Sequence, residues 1–209
     1  VAGIGKKPVL VRETFAGSDK FVDTYLRRYV HACIPGARPN CPREDLFRIA
    51  GELASANPDV IISFGGGSTI DATKAAEVLR TVGGEIDDYF GTGLVTKALV
   101  ESGKSLTPHV AIQTAASSGA HLTKYSNITD LVSGQKKLIV DDVTTPPAAV
   151  FDYGGTLDSP VNLTLDGGLD GIAHAWEVFM GATGQAYYTR MKEIAETCLR
   201  LIVYGLPRV

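Results

Sequence analysis

Three glycines and a serine, Gly65-Gly66-Gly67-Ser68, follow the apolar run Val60-Ile61-Ile62-Ser63-Phe64 and lead into a helix-like pattern. Glycine has no Cβ, so such a turn can press its backbone N–H groups against a ligand. A helix starting there adds partial positive charge at the same point, and the combination suits a phosphate. A tight strand-to-helix turn without a ligand is the plainer reading, but it does not need three adjacent glycines, each of which costs conformational entropy. Asp71 and Lys74 follow one helical turn apart, at a spacing that pairs charges on a helix surface. Arg12-Glu13 closes the short run Val9-Leu10-Val11. An acidic side chain at such a strand end accepts from a ribose 2′-hydroxyl and repels a 2′-phosphate, which leans towards NAD. Arg12 beside it leans towards NADP, and two solvated charges explain the pair equally well. Asp170 and His174 stand four residues apart, on one face of a helix. That spacing fits two ligands of a divalent metal or, taken alone, a hydrogen bond in a helix interface. Asp166 extends the stripe and, with Gly167-Gly168 next, reads as the residue that opens this helix.

The elements that would carry these residues alternate. Ser18 and Asp19 can cap a helix running to about Arg27, with Phe21, Val22, Tyr25 and Leu26 on one side. Tyr29 to Ile34 reads as a second strand. Pro42, Glu44 and Asp45 suit the start of a helix that carries Leu46, Ile49, Ala50 and Leu53 and ends at Asn57-Pro58. Strand Val60–Phe64 and a helix from Thr69 to Arg80 follow. This order predicts a doubly wound parallel sheet with helices on both faces. His109 to Gln113, Lys136 to Val140 and Ala148 to Phe151 are further strands. Beyond Asp152 strand signals stop. Leu165 to Met180 and Tyr187 to Tyr204 read as helices, with Gly205 as a cap. The expected division is an α/β dinucleotide-binding domain over 1–155 and the first helices of a helical domain over 156–209.

The chain has 209 residues and a formal net charge of −3. It can bury a core, and it has no broad basic field to hold nucleic acid or an anionic membrane. No apolar run is long enough to span a bilayer, and no basic-then-apolar leader opens the chain. Three widely spaced cysteines, Cys33, Cys41 and Cys198, suggest a reducing compartment, so a cytoplasmic protein is expected. The first residue is Val1 and the end lacks a polar tail, so a piece of a longer chain is expected.

Taken together, Gly65-Gly66-Gly67-Ser68-x-x-Asp71-x-x-Lys74, Ile128-Thr129-Asp130, Lys136-Lys137, Asp152 and Asp170-x-x-x-His174-Ala175-x-Glu177 resemble the iron-containing alcohol dehydrogenases in order and spacing. The resemblance implies a dehydroquinate synthase-like architecture, an N-terminal nucleotide-binding α/β domain followed by a helical metal-binding domain. It also implies an NAD(P)- and divalent-metal-dependent alcohol dehydrogenase or aldehyde reductase acting on a small alcohol or aldehyde. A homo-oligomer, a dimer, is expected. By the same resemblance Gly65, Gly66, Gly67, Ser68 and Asp71 belong to the cofactor site, with the pyrophosphate on Gly66, Gly67 and Ser68. Glu13 falls at the NAD-selecting position, Thr114 contacts the cofactor, and Lys136 or Lys137 reaches the nicotinamide ribose. Asp170 and His174 are the first two metal ligands. Iron is implied by the family, while one carboxylate with imidazoles also suits zinc or nickel. Glu177, one turn after His174, could orient that ring from behind or be a surface charge.

The sequence departs from the family at three places. Ala115 replaces a second threonine. Ser117-Ser118-Gly119-Ala120-His121 stands where the family has glycine-threonine-glycine-serine-glutamate. The resemblance places the family's two further histidine ligands beyond Val209, and His31 and His109 lie outside the matching positions, so weak metal binding or none is expected. Two other readings compete. One is a sugar-phosphate lyase of the dehydroquinate synthase kind, and the other is a metal-less nucleotide-binding fragment without catalysis.

Overall fold

The computed structural model describes residues 5–13, 18–157 and 159–208. Two compact units emerge, one of Val1–Thr114 with Gly119–Leu157, the other of Ala115–Ser118 with Asp158–Val209.

The first unit runs β1 (Pro8–Arg12), α1 (Ser18–Tyr25), β2 (Ala32–Pro35), α2 (Arg43–Ala56), β3 (Val60–Gly65), α3 (Gly67–Val82), β4 (Gly91–Thr92), α4 (Leu94–Ser102), β5 (His109–Gln113), β6 (Tyr125–Asp130), β7 (Gln135–Val140) and β8 (Ala148–Val150). The main sheet has the order β2-β1-β3-β5-β8 and every pairing in it is parallel. Its direction of winding reverses between β1 and β3. In open parallel sheets such a switch point leaves a crevice at the carboxyl ends of the strands, where ligands bind.

Side-chain alternation explains the two covered faces. Val9, Val11 and Ile61 join a buried cluster with Leu46, Ile49 and Leu53 of α2 and with Ala72, Ala75 and Ala76 of α3. The intervening Leu10, Ile62 and Phe64 join a second cluster with Val22 of α1. A period of two on strands covered on both faces leaves neither face polar, which is why Val60-Ile61-Ile62 reads as one apolar run. Asn57 ends α2 in the left-handed conformation, at φ 45°, with its N–H on the Leu53 carbonyl. Pro42 precedes α2 as its N-cap.

Several expectations need correction. The second strand starts at Ala32, because a short 3-10 turn occupies Arg27–Tyr29. Capping of α1 by the Ser18 side chain lies outside the described residues. Lys136 to Val140 does form a strand, but in a separate sheet of order β4-β7-β6, where it pairs antiparallel with β6. β6 and α4 are elements for which the sequence offers little signal. β6 reads Tyr-Ser-Asn-Ile-Thr-Asp, with little apolar alternation, and α4 is only nine residues long.

In the second unit, α5 (Val161–Gly181) packs on α6 (Tyr188–Gly205). α5 begins at Val161 after Pro160, so Asp166 lies inside the helix and does not open it. Gly167 and Gly168 are tolerated in mid-helix because neighbours come too close for a side chain. A Cβ on Gly167 would lie 2.8 Å from the Ala116 Cβ, and one on Gly168 would lie 2.5 Å from a Leu206 methyl. Gly205 is the last residue of α6 and does not cap it; Leu206 stays in the right-handed region and a 3-10 turn follows. Among the described residues no helix is long and apolar enough to cross a membrane.

Candidate functional site

The parallel register carries three strand ends to one place. The Glu13 amide donates to the Phe64 carbonyl and the Thr114 amide to the Gly65 carbonyl, so the β1–β3–β5 ladder continues into the loops. Glu13 therefore stands beside the glycine turn and Thr114 stands on its other side. The Glu13 carboxylate joins them: Oε2 accepts from the Gly66 N–H at 2.9 Å and Oε1 accepts from the Thr114 hydroxyl at 2.6 Å. These are charge-assisted bonds, which fix the carboxylate at the switch point.

α3 starts at Gly67 with Gly66 as its N-cap residue, and no side chain caps it. The first-turn amides of a helix have no partner within the helix, so Gly67 and Ser68 present donors where the helix dipole is positive. A Cβ on Gly65 would lie 2.7 Å from the Thr69 Cβ and 3.0 Å from Glu13 Oε2. Position 65 is thus closed to any larger residue. Thr69 Oγ1, in the first turn of α3, is buried without a hydrogen-bond partner. The first-turn amides of Gly67 and Ser68 fit a dinucleotide's phosphates at this point, whereas the space at Gly65 is filled by Thr69 and Glu13. Nothing in the sequence distinguishes Thr69 from any other helix residue. Arg12 has other partners: its guanidinium is 2.5 Å from Asp19 Oδ1, and its Nε donates to the Glu13 carbonyl.

Asp71 and Lys74 are not the surface pair that their spacing suggests. α3 lies against β3, α2 and β6 together, and both side chains are buried. Their charges stand 3.6 Å apart. Asp71 Oδ2 accepts from the Asn127 amide at 3.0 Å, and Lys74 donates to the carbonyls of Thr123 and Tyr125 at 2.8 and 2.7 Å. Burial pushes the Lys74 ammonium down to about 8 and the Asp71 carboxyl up from its ordinary range. The pair braces the β6–β7 hairpin against α3. Lys137 is held by Asp87 at 2.7 Å and lies over the Phe90 ring, while Lys136 is exposed on β7. The structure brings Glu13, Gly65, Gly66 and Thr114 together, and it brings neither Asp71 nor these two lysines to them.

His121, the substitution in the hydroxyl-rich loop, is buried with its ring edge on Phe151, 4.9 Å between centroids. Neither ring nitrogen has a hydrogen-bond partner. Burial first, and the Lys74 cation second, push its pKa below the usual imidazole range.

In the helical unit Asp170 and His174 do meet on one face of α5, with Oδ2 and Nδ1 3.4 Å apart. The Ser117 hydroxyl touches both, at 2.7 Å from Asp170 Oδ2 and 3.1 Å from His174 Nδ1. A carboxylate and an imidazole match the donor chemistry of a divalent metal. Among the described residues no third histidine, cysteine or carboxylate joins them. A cavity of about 410 Å³ lies beside them within this unit, bordered by Gly171, His174, Val178, Ile194 and Cys198.

A parallel sheet with a glycine turn at its switch point is followed along the chain by a helical unit bearing an Asp-x-x-x-His pair. The sequence pattern described as iron-containing alcohol dehydrogenase matches residues 1–153, and the chain belongs to that family. It is 30% identical over 185 residues to the NAD-dependent methanol dehydrogenase of Bacillus methanolicus, covering 85% of this chain and 47% of that protein. The sulfoacetaldehyde reductase of Bifidobacterium kashiwanohense, solved in complex with NAD+, superposes with a TM-score of 0.70 at 25% identity, over 84% of this chain and 46% of that one. The NADH-dependent butanol dehydrogenase A of Thermotoga maritima shares the fold, with a TM-score of 0.79 at 21% identity over 99% of this chain and 51% of that one. The chain thus spans about half the length of these relatives.

Proposed function

We propose that this chain binds NAD in the β1/β3 crevice and serves hydride transfer between that cofactor and a small alcohol or aldehyde. The observation that carries the reading is the convergence of Glu13, Gly66 and Thr114, each the residue directly after a separate strand, at the switch point of a family fold. Gly67 and Ser68 would hold the pyrophosphate by their amides, beside a Gly66 amide that Glu13 occupies. Glu13 would accept from the ribose hydroxyls and repel a 2′-phosphate. Arg12, engaged by Asp19, offers a 2′-phosphate little, which favours NAD over NADP.

Asp170 and His174 would hold a divalent metal, iron by family membership, although two protein donors bind such an ion weakly. When bound, the ion supplies Lewis acidity towards a substrate oxygen. The cavity beside His174 has lining side chains, Val178 and Ile194 among them, that suit the short carbon chain of such a substrate. The relatives' names span methanol, butanol and sulfoacetaldehyde, so the substrate class proposed is a small primary alcohol or its aldehyde.

The test is a titration of NADH with the protein. Enhanced, blue-shifted nicotinamide fluorescence is expected, and its absence at saturating protein would overturn the reading. Gly66→Val should abolish the signal while leaving the far-UV circular dichroism intact, because the branched side chain would occupy the place of the pyrophosphate.

A further inference from the structure

Ser117 is a non-glycine residue in the left-handed region, with φ 76°. A β-carbon disfavours that conformation, and neighbouring contacts hold it. The segment presses on α5 so closely that a Cβ on Gly167 would lie 2.8 Å from the Ala116 Cβ. The Ser117 hydroxyl is thereby delivered to Asp170 Oδ2 at 2.7 Å and to His174 Nδ1 at 3.1 Å.

A hydroxyl has one proton to donate. An ionised carboxylate can only accept, and a bond to it is about twice as strong as a neutral one. The Ser117 proton therefore goes to Asp170, and the oxygen turns a lone pair towards the ring. Asp170 Oδ2 itself stands 3.4 Å from Nδ1 and is also an acceptor. A ring nitrogen facing two acceptors must carry the hydrogen. We propose that Ser117 is a positioning residue that locks the neutral His174 ring in its Nδ1–H tautomer, leaving the Nε2 lone pair as the ring's ligating atom. Metal-binding histidines use this arrangement, one nitrogen held by an oxygen acceptor and the other free for the ion. The sequence offers Glu177 for that task, whereas the structure gives the Nδ1 side to Ser117. The link to a metal rests on the proposed function, but the tautomer itself does not.

The experiment uses the metal-free full chain with ¹⁵N-labelled histidine, read by long-range ¹H–¹⁵N correlation at about pH 9, above the usual imidazole range. Four histidines are present, and His174→Ala assigns the relevant pair of signals. The wild-type ring should show a protonated Nδ1 and an unprotonated Nε2. Ser117→Gly removes the hydroxyl and also relieves the left-handed backbone, so the fold is retained. Its Nδ1–H to Nε2–H ratio should fall about fivefold, the worth of one ordinary hydrogen bond. Ser117→Ala should give the same shift with the backbone demand kept. A wild-type Nε2–H tautomer, or an unchanged ratio in Ser117→Gly, would overturn the lock. Calorimetric titration with zinc should show about tenfold weaker binding in Ser117→Gly. A shifted tautomer with unchanged zinc affinity would leave the lock standing and overturn its link to the metal.

Discussion

Glu13 holds its carboxylate by both oxygens, one on the Gly66 amide and one on the Thr114 hydroxyl. In the proposed NAD site this fixed negative charge would meet the ribose and discriminate by repulsion, and a like-charge juxtaposition costs several kcal/mol. Glu13→Ser should therefore narrow the preference for NADH over NADPH by at least about tenfold, or about 1.4 kcal/mol. The ratio of the two dissociation constants, measured by nicotinamide fluorescence, checks this. An unchanged ratio would remove Glu13 from the ribose. The residue is legible in the sequence because a charge directly after Val9-Leu10-Val11 must stand at a strand end. Its bond to Thr114, 101 positions later, is not legible, since that depends on β3 lying between β1 and β5. Thr69 and His121 are invisible for a related reason. An orphaned polar atom exists only once neighbours have excluded water.

At the scale of elements, α3 shows how context reverses a local rule. Asp71 and Lys74 three apart on a helix suggest a solvated pair, yet α3 is covered by β3, α2 and the β6–β7 hairpin. The charges are retained because they meet the hairpin's backbone, as Asn127 N–H, Thr123 C=O and Tyr125 C=O. Removing one partner of a buried pair leaves the other uncompensated. Lys74→Met should destabilise by about 3–5 kcal/mol. Asp71→Leu with Lys74→Met should cost less than the two single changes added together. Urea unfolding of the three variants measures the coupling, and strict additivity would show that the pair does not act as a brace. The hairpin itself is poorly legible. β6 has mostly polar residues, and only its docking on α3 makes Ser126 and Ile128 buried positions.

Over the whole molecule, His109 ties stability to pH. It opens β5, buried, with Nε2 2.7 Å from the Ser63 hydroxyl on β3. Burial, with a smaller contribution from the Lys74 cation, holds its pKa down at about 3, against an ordinary 6.5. Between those values the unfolded chain binds a proton that the native protein does not. Stability therefore rises with pH through this window and is lost on acidification, at up to about 1.4 kcal/mol per pH unit. His109→Gln should flatten the difference between pH 6.5 and 3 relative to wild type, as read from urea midpoints; parallel profiles would contradict the buried neutral ring. By itself the sequence determined the glycine turn, the alternation of strands and helices, the family and the Asp170–His174 spacing. All of these are local, carried by backbone freedom at Gly65-Gly66-Gly67 and by hydrophobic period. The tertiary structure alone decided that Glu13 joins Gly66 to Thr114, that Asp71 and Lys74 turn inward, and that Ser117 reaches His174. Those contacts join residues 49 to 101 positions apart, and strand order and burial, which no local pattern encodes, bring them together.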